Sequence, residues 1–152
     1  MKYFIAISGL VASGKSVLEN EFIKQFKTHK IFTRQLLVDT GAENESDKLI
    51  EAGKRLDQEI YGAWVRDGIL PYVSANEKTH KVILIDAVRT EAQIEHLRET
   101  YGERFVHLHV SVPYAVAKES HESRDHVGQR CVLRDGARRP YGEWRLVTPQ
   151  DR

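Results

Sequence analysis

Gly9-Leu10-Val11-Ala12-Ser13-Gly14-Lys15-Ser16 is the stretch that decides how the rest of the chain is read. Gly9, Gly14, Lys15 and Ser16 match the pattern G-x-x-x-x-G-K-[S/T]. Working outward, Tyr3 to Ser8 is an apolar run that predicts a buried strand. On the other side Val17, Leu18, Phe22, Ile23 and Phe26 recur at helical spacing, which predicts a helix from Gly14 to about Phe26 with these residues on one face. A glycine loop set between a buried strand and a helix can wrap a phosphate in its backbone N–H groups. The helix N-terminus adds a favourable dipole.

The same alternation continues along the chain. A short apolar step at Ile31-Phe32-Thr33 predicts a second strand. From Ser46, read as a helix cap, Leu49, Ile50, Gly53, Leu56, Ile60 and Trp64 follow at helical spacing, with more helix toward Val73, as a hairpin or one long bent helix. Val82-Ile83-Leu84-Ile85, ending at Asp86, has the continuous apolar character of a strand covered on both faces, which belongs in the middle of a parallel sheet. Thr90 and Gln93 form a capping box for a helix that stops at Gly102, with Ile94, Leu97 and Tyr101 inward. Phe105 to Val112 alternates as a further strand, and Pro113 opens the next helix. Repeated β-α units of this kind make an α/β fold with helices on both faces of a parallel sheet.

The bulk properties narrow the class. A chain of 152 residues accommodates one ordinary domain, and 41% hydrophobic with 30% charged residues is a globular composition. No apolar run reaches the roughly 18 residues of a membrane span, and the N-terminal run is too short for a leader with its cleavage site. Cys131 is the only cysteine, so no internal disulfide forms, zinc ribbons are excluded, and a cytoplasmic setting is expected. A net charge of +1 gives no general reason to expect nucleic acid or membrane as a partner. From Arg124 to the end, seven arginines stand against four acids and the apolar period fails. This divides the chain into a core at 1–124 and an arginine-rich lid or tail at 125–152, possible in a chain cut from something longer.

The residues with chemistry follow from that frame. Gly9, Leu10, Val11, Ala12, Ser13, Gly14, Lys15, Ser16 and Val17 are expected to hold a nucleoside triphosphate, with Lys15 on the β and γ oxygens and Ser16 on magnesium. Asp86, at the end of the most apolar strand, points to the crevice where open α/β sheets bind ligands. There it either holds Mg2+ with Ser16 or aligns an acceptor oxygen as a base, against the plainer role of a turn cap. Arg89 and Arg34 are candidates to clamp an acceptor phosphate, and Arg124 to cover the transferring group, with Lys15 and Asp86 as the other catalytic groups. The alternative for these arginines is a surface ion pair. His107 and His109 share a strand face, but without paired cysteine or carboxylate spacing they read as ordinary strand histidines. Trp64 and Trp144 read as packing residues.

With the glycine loop, Phe32-Thr33-Arg34 and Ile85-Asp86-Ala87-Val88-Arg89 in this order, the chain resembles the nucleoside and nucleotide kinase branch of P-loop NTPases, relatives of adenylate, cytidylate and dephospho-CoA kinase. The resemblance covers about residues 1–124. It implies a three-layer P-loop fold, here without the usual fifth strand whose loop contacts adenine. It further implies ATP and Mg2+ as cofactors and acceptor contacts from Thr33, Arg34 and Arg89, with Arg124 and Arg130 as lid arginines. The expected activity is transfer of the ATP γ-phosphate to a small-molecule acceptor, a nucleoside or nucleotide. The alternative is a non-catalytic ATP-binding regulatory module of a larger protein. A GTPase is disfavoured because no Asn-Lys-x-Asp is present.

Overall fold

A computed structural model describes residues 2–76 and 79–118. Its elements are β1 (Tyr3–Gly9), α1 (Lys15–Gln25), β2 (Thr28–Phe32), α2 (Thr33–Asp39), α3 (Ser46–Glu59), α4 (Ala63–Ala75), β3 (Val82–Asp86), α5 (Glu91–Tyr101) and β4 (Phe105–Val110). A 3-10 turn at Gly102–Arg104 leads into β4, and residues 114–118 begin another helix after Pro113. All strand pairs are parallel and the sheet order is β2-β3-β1-β4. β3 thus lies centrally, as its unbroken apolar run requires.

Alternation along the strands separates two cores. On one face Ile5, Ile7, Val82 and Leu84 pack with Leu18 and Phe22 of α1. On the other, Phe4, Ala6, Ile31, Ile83 and Ile85 pack with residues of α2, α3, α4 and α5, among them Leu36, Leu49, Trp64, Val65, Ile69 and Leu97. The Tyr101 ring stacks on Phe4 with centroids 3.6 Å apart. The result is three layers, with α1 on one side and α2 to α5 on the other, an α/β arrangement consistent with the three-layer P-loop fold.

The structure refines several expectations. The inward arc of α1 is centred on Leu18, Glu19 and Phe22, so Val17, at 65% exposure, and Ile23 fall outside it, while Phe26 lies past the helix end and is also exposed. The long helical region is two helices, because Tyr61 (φ 54°) and Gly62 (φ 79°) both turn left-handed between them. Ser46 is the first residue of α3 and Glu45 is its cap. Ile50 and Ile60 are exposed. β2 starts earlier, at Thr28, since its ladder is dictated by pairing with Val82 to Asp86 and not by its own weak apolar content. β4 stops at Val110 because its partner β1 ends at Gly9, leaving Val112 without a ladder. No fifth strand occurs among the described residues; Arg124, Arg130, Cys131, Trp144 and the whole 125–152 segment lie outside them.

One buried polar network ties the helices of the larger core together. Thr90 caps α5 by accepting from the Gln93 backbone N–H at 3.3 Å. The Gln93 side chain, 1% exposed, accepts from the Arg89 backbone N–H at 2.9 Å and donates to Asp57 Oδ1 at 2.8 Å. Trp64 Nε1 donates to the same oxygen at 2.7 Å. A Gln93→Leu substitution strands the Arg89 amide and removes one donor from Asp57, and should cost about 1–3 kcal/mol of stability. Urea unfolding followed by tryptophan fluorescence reads this loss directly.

Candidate functional site

In a parallel sheet every strand delivers its C-terminal end to the same edge, so the residues after β1, β2 and β3 leave the sheet on one side, where open α/β sheets bind ligands. The glycine loop leaves β1, Thr33 and Arg34 leave β2, and Asp86 to Arg89 leave β3. The topology therefore brings the candidate segments to one edge of the molecule.

The loop is held in shape by backbone that ordinary residues resist. Gly9 has φ 143°, and a Cβ there would stand 2.4 Å from the Val110 carbonyl oxygen. Ala12, a non-glycine, sits left-handed at φ 61°, a conformation that persists only where surroundings impose it. Ser13 N–H donates to the Leu10 carbonyl at 3.2 Å, and Gly14 caps α1. Lys15 Nζ donates to the carbonyls of Gly9 at 2.9 Å and Leu10 at 2.6 Å, folding its ammonium over the loop. Ser13 is buried, whereas Leu10, Val11 and Val17 are exposed.

Asp86 closes β3 opposite Ile7 and Phe32 on the α1 face of the sheet. Beyond it Ala87 turns left-handed at φ 64°, and the Val88 N–H returns to the Ile7 carbonyl at 3.2 Å, which bends the chain against the end of β1. The Asp86 carboxylate is one-fifth exposed, and Lys30 Nζ lies 3.2 Å from its Oδ2. The same ammonium donates to Glu19 Oε2 at 2.6 Å. Burial drives the Glu19 carboxyl above the usual range, with the Asp86 carboxyl adding to the rise and Lys30 opposing it. Burial disfavours the Lys30 charge, but the bond to Glu19 and the field of Asp86 outweigh it and leave its pKa raised.

The acceptor candidates are placed unevenly. Thr33 is buried at the start of α2. Arg34 is exposed and forks onto Asn44, with Nε and an Nη each bonded to Oδ1 at 3.1 and 2.9 Å. Arg89 is exposed, anchored through its backbone to Gln93. Arg124 lies outside the described residues.

The apolar pattern of the sequence does not single out Glu19 and Lys30. An acid on the inward face of α1, three residues after Ser16, was the available signal. Ser8 was missed as well: its Oγ lies 2.8 Å from His107 Nε2 and 2.8 Å from His109 Nδ1, joining β1 to β4 just before the loop. Burial, helped by His109 and Arg98, lowers the pKa of His107 from 6.5 to about 4. Among the described residues no group of three or more His, Cys, Asp or Glu is arranged to hold a metal ion. Ser16 and Asp86 offer hard oxygen donors, which suit a magnesium ion that keeps waters and arrives with phosphate oxygens. They do not form an all-protein cage.

Comparison with known proteins gives a fold but no family. The chain matches no protein-family profile and no curated protein. Among solved structures it is similar to a chain in the structure of the Pnkp1/Rnl/Hen1 RNA repair complex, with a TM-score of 0.55 and 14% identity over 86% of this chain and 40% of that one. A chain from a structure of the Pnkp1/Rnl/Hen1 complex gives a TM-score of 0.48 and 11% identity over 91% of this chain and 43% of that one. This chain thus spans less than half the length of either. At such identities the first likeness speaks to fold alone. Among the described residues no helix is long and apolar enough to cross a membrane.

Two outcomes test this geometry. Gly9→Ala forces a methyl group against the Val110 carbonyl in a backbone region alanine resists, and should weaken binding of ATP, the ligand expected from the sequence, at least about tenfold in isothermal titration. For His107, the folded pKa of about 4 lies below the unfolded 6.5, so protonation favours the unfolded chain. Its contribution to stability is complete above pH 6.5 and is lost as the pH falls toward 4. Melting temperatures recorded across that window should fall less steeply in His107→Gln than in wild type.

Proposed function

We propose that this chain is an ATP-dependent phosphotransferase whose acceptor is a nucleotide or a nucleotide-like small molecule. The observation that carries the reading is the pre-shaped glycine loop, leading through its cap Gly14 into α1, with the Asp86 carboxylate delivered to the same sheet edge by the strand next to β1. The likeness in fold to a chain of an RNA repair complex supports a nucleotide-related chemistry in general terms.

In this reading the backbone N–H groups of the loop and the α1 N-terminus receive the triphosphate. Lys15 exchanges the Gly9 and Leu10 carbonyls for β and γ oxygens, a gain because the new acceptors carry charge. Ser16 and Asp86 would hold magnesium, which when bound neutralises charge developing between the β and γ phosphates. Arg34, beside Thr33, trades the neutral amide oxygen of Asn44 for an acceptor phosphate, and Arg89 approaches from the β3 side. Arg124 is the proposed lid cation.

During transfer the bond from the γ phosphorus to its bridging oxygen breaks and a bond to the acceptor oxygen forms, leaving ADP. A phosphate acceptor is already ionised and needs no base, so Asp86 is available to the metal ion. Little covalent work falls to the protein in such a reaction; positioning and charge supply the catalysis.

The test is coupled ADP release with ATP and Mg2+ over a panel of nucleosides, nucleoside monophosphates, dephospho-coenzyme A and an oligonucleotide with a 5′-hydroxyl end. Release should depend on a monophosphate acceptor and fall by about 100-fold or more in Lys15→Ala, the scale of losing a group that stabilises transition-state charge. ATP binding without release for any acceptor would assign the chain instead as a nucleotide-binding module.

A further inference from the structure

Glu19 is the most deeply buried acid of the described chain, 1% exposed on a helix face otherwise given to Leu18 and Phe22. It lies three residues after Ser16, hence one turn below it on the same side of α1. Across from it, β2 and β3 present Lys30 and Asp86 toward α1, with Lys30 beside Leu84 and Phe32 beside Asp86 in the ladder. The Lys30 ammonium stands 2.6 Å from Glu19 Oε2 and 3.2 Å from Asp86 Oδ2, and 4.3 Å from the centroid of the Phe32 ring. Three partners therefore hold one cation in place. Glu19 Oε1 is buried and has no hydrogen-bond partner among the described residues.

A purely structural role is poorly served by this arrangement. Replacing a buried ion pair with apolar residues of similar volume is often neutral or stabilising, so the acid is an expensive way to fill the space under α1. What the acid does supply is charge. Lys30 alone beside Asp86 would cancel its carboxylate. With Glu19 ionised, the three groups together carry one negative charge, and Asp86 keeps a negative field toward the crevice.

We propose that Glu19 and Lys30 are positioning residues for Asp86: Lys30 fixes the carboxylate, and Glu19 offsets the Lys30 charge so that Asp86 still attracts a divalent cation. The inference rests on the reading of Asp86 as a cation ligand. It assigns to two residues outside the glycine loop the strength with which the cation is held.

Charge counting fixes the signs. Glu19→Gln leaves Lys30 and Asp86 to neutralise each other and takes the cluster from one negative charge to none. The double variant Glu19→Gln/Lys30→Met returns it to one negative charge. The probe is Mn2+, titrated in the presence of saturating ADP and followed by electron paramagnetic resonance of the free ion, with melting temperatures recorded in parallel. Glu19→Gln should weaken Mn2+ binding about tenfold and the double variant should recover it, whatever either does to stability. A packing role predicts no recovery in the double variant. Unchanged affinity in Glu19→Gln, alongside weakened binding in Asp86→Asn, overturns the positioning role and leaves the Asp86 reading standing. Unchanged affinity in Asp86→Asn overturns both.

Discussion

The pairing of β1 with β3 is the constraint on which the rest of the site depends. Five consecutive residues of β1, Tyr3 to Ile7, lie beside Val82 to Asp86, and because the strands run in parallel both finish at one edge. The ladder ends with Ile7 beside Asp86, two residues before Gly9, so the loop and the carboxylate leave the sheet at nearly the same height. The return bond from the Val88 amide to the Ile7 carbonyl then folds the following loop toward β1. A slip of one residue in this register would turn Asp86 from the α1 face to the opposite one and put the apolar residues of β3 on the wrong cores. The hydrophobic composition of β3, all four of Val82 to Ile85 buried, is what prevents it.

The charged pair on the α1 face depends on the neighbouring ladder. β2 pairs with β3 alone among the described strands, and its residues Thr28, Lys30 and Phe32 face α1. An apolar residue at position 30 would have extended the small core formed by Ile5, Ile7, Val82 and Leu84. The protein instead places an ammonium there and buries an acid opposite it. Apolar packing under α1 is correspondingly thin, while the other face gathers four helices and a connected polar network through Asp57, Trp64 and Gln93.

Much of this was legible in the sequence, for reasons tied to range. The glycine loop, the β3 strand and the Thr90–Gln93 cap are local: spacing over a dozen residues specifies each, and each formed where the spacing placed it. β2 was harder, because Thr-His-Lys-Ile-Phe has little apolar signal of its own and its bounds are decided by a partner some fifty residues away. Glu19 carries no signal of this kind, because helical periodicity is written in apolar residues and the acid sits in the middle of the inward arc. The commitment of Arg34 to Asn44 likewise depends on how the chain turns after α2, which no period reports. The segment from Arg124 onward has no regular pattern to read.

Gly9 carries one more implication. It has no side chain because the carbonyl of Val110 occupies the place where one would be, and Val110 is the last residue of β4. The glycine loop and the exit of β4 therefore touch backbone to backbone, with nothing compressible between them. Ser8 and His109, one residue back on each strand, brace the same junction through their side chains. A displacement of the chain where it leaves β4 would be transmitted to the first residue of the loop as by a rigid strut. The chain leaving β4 is thus mechanically in series with the glycine loop.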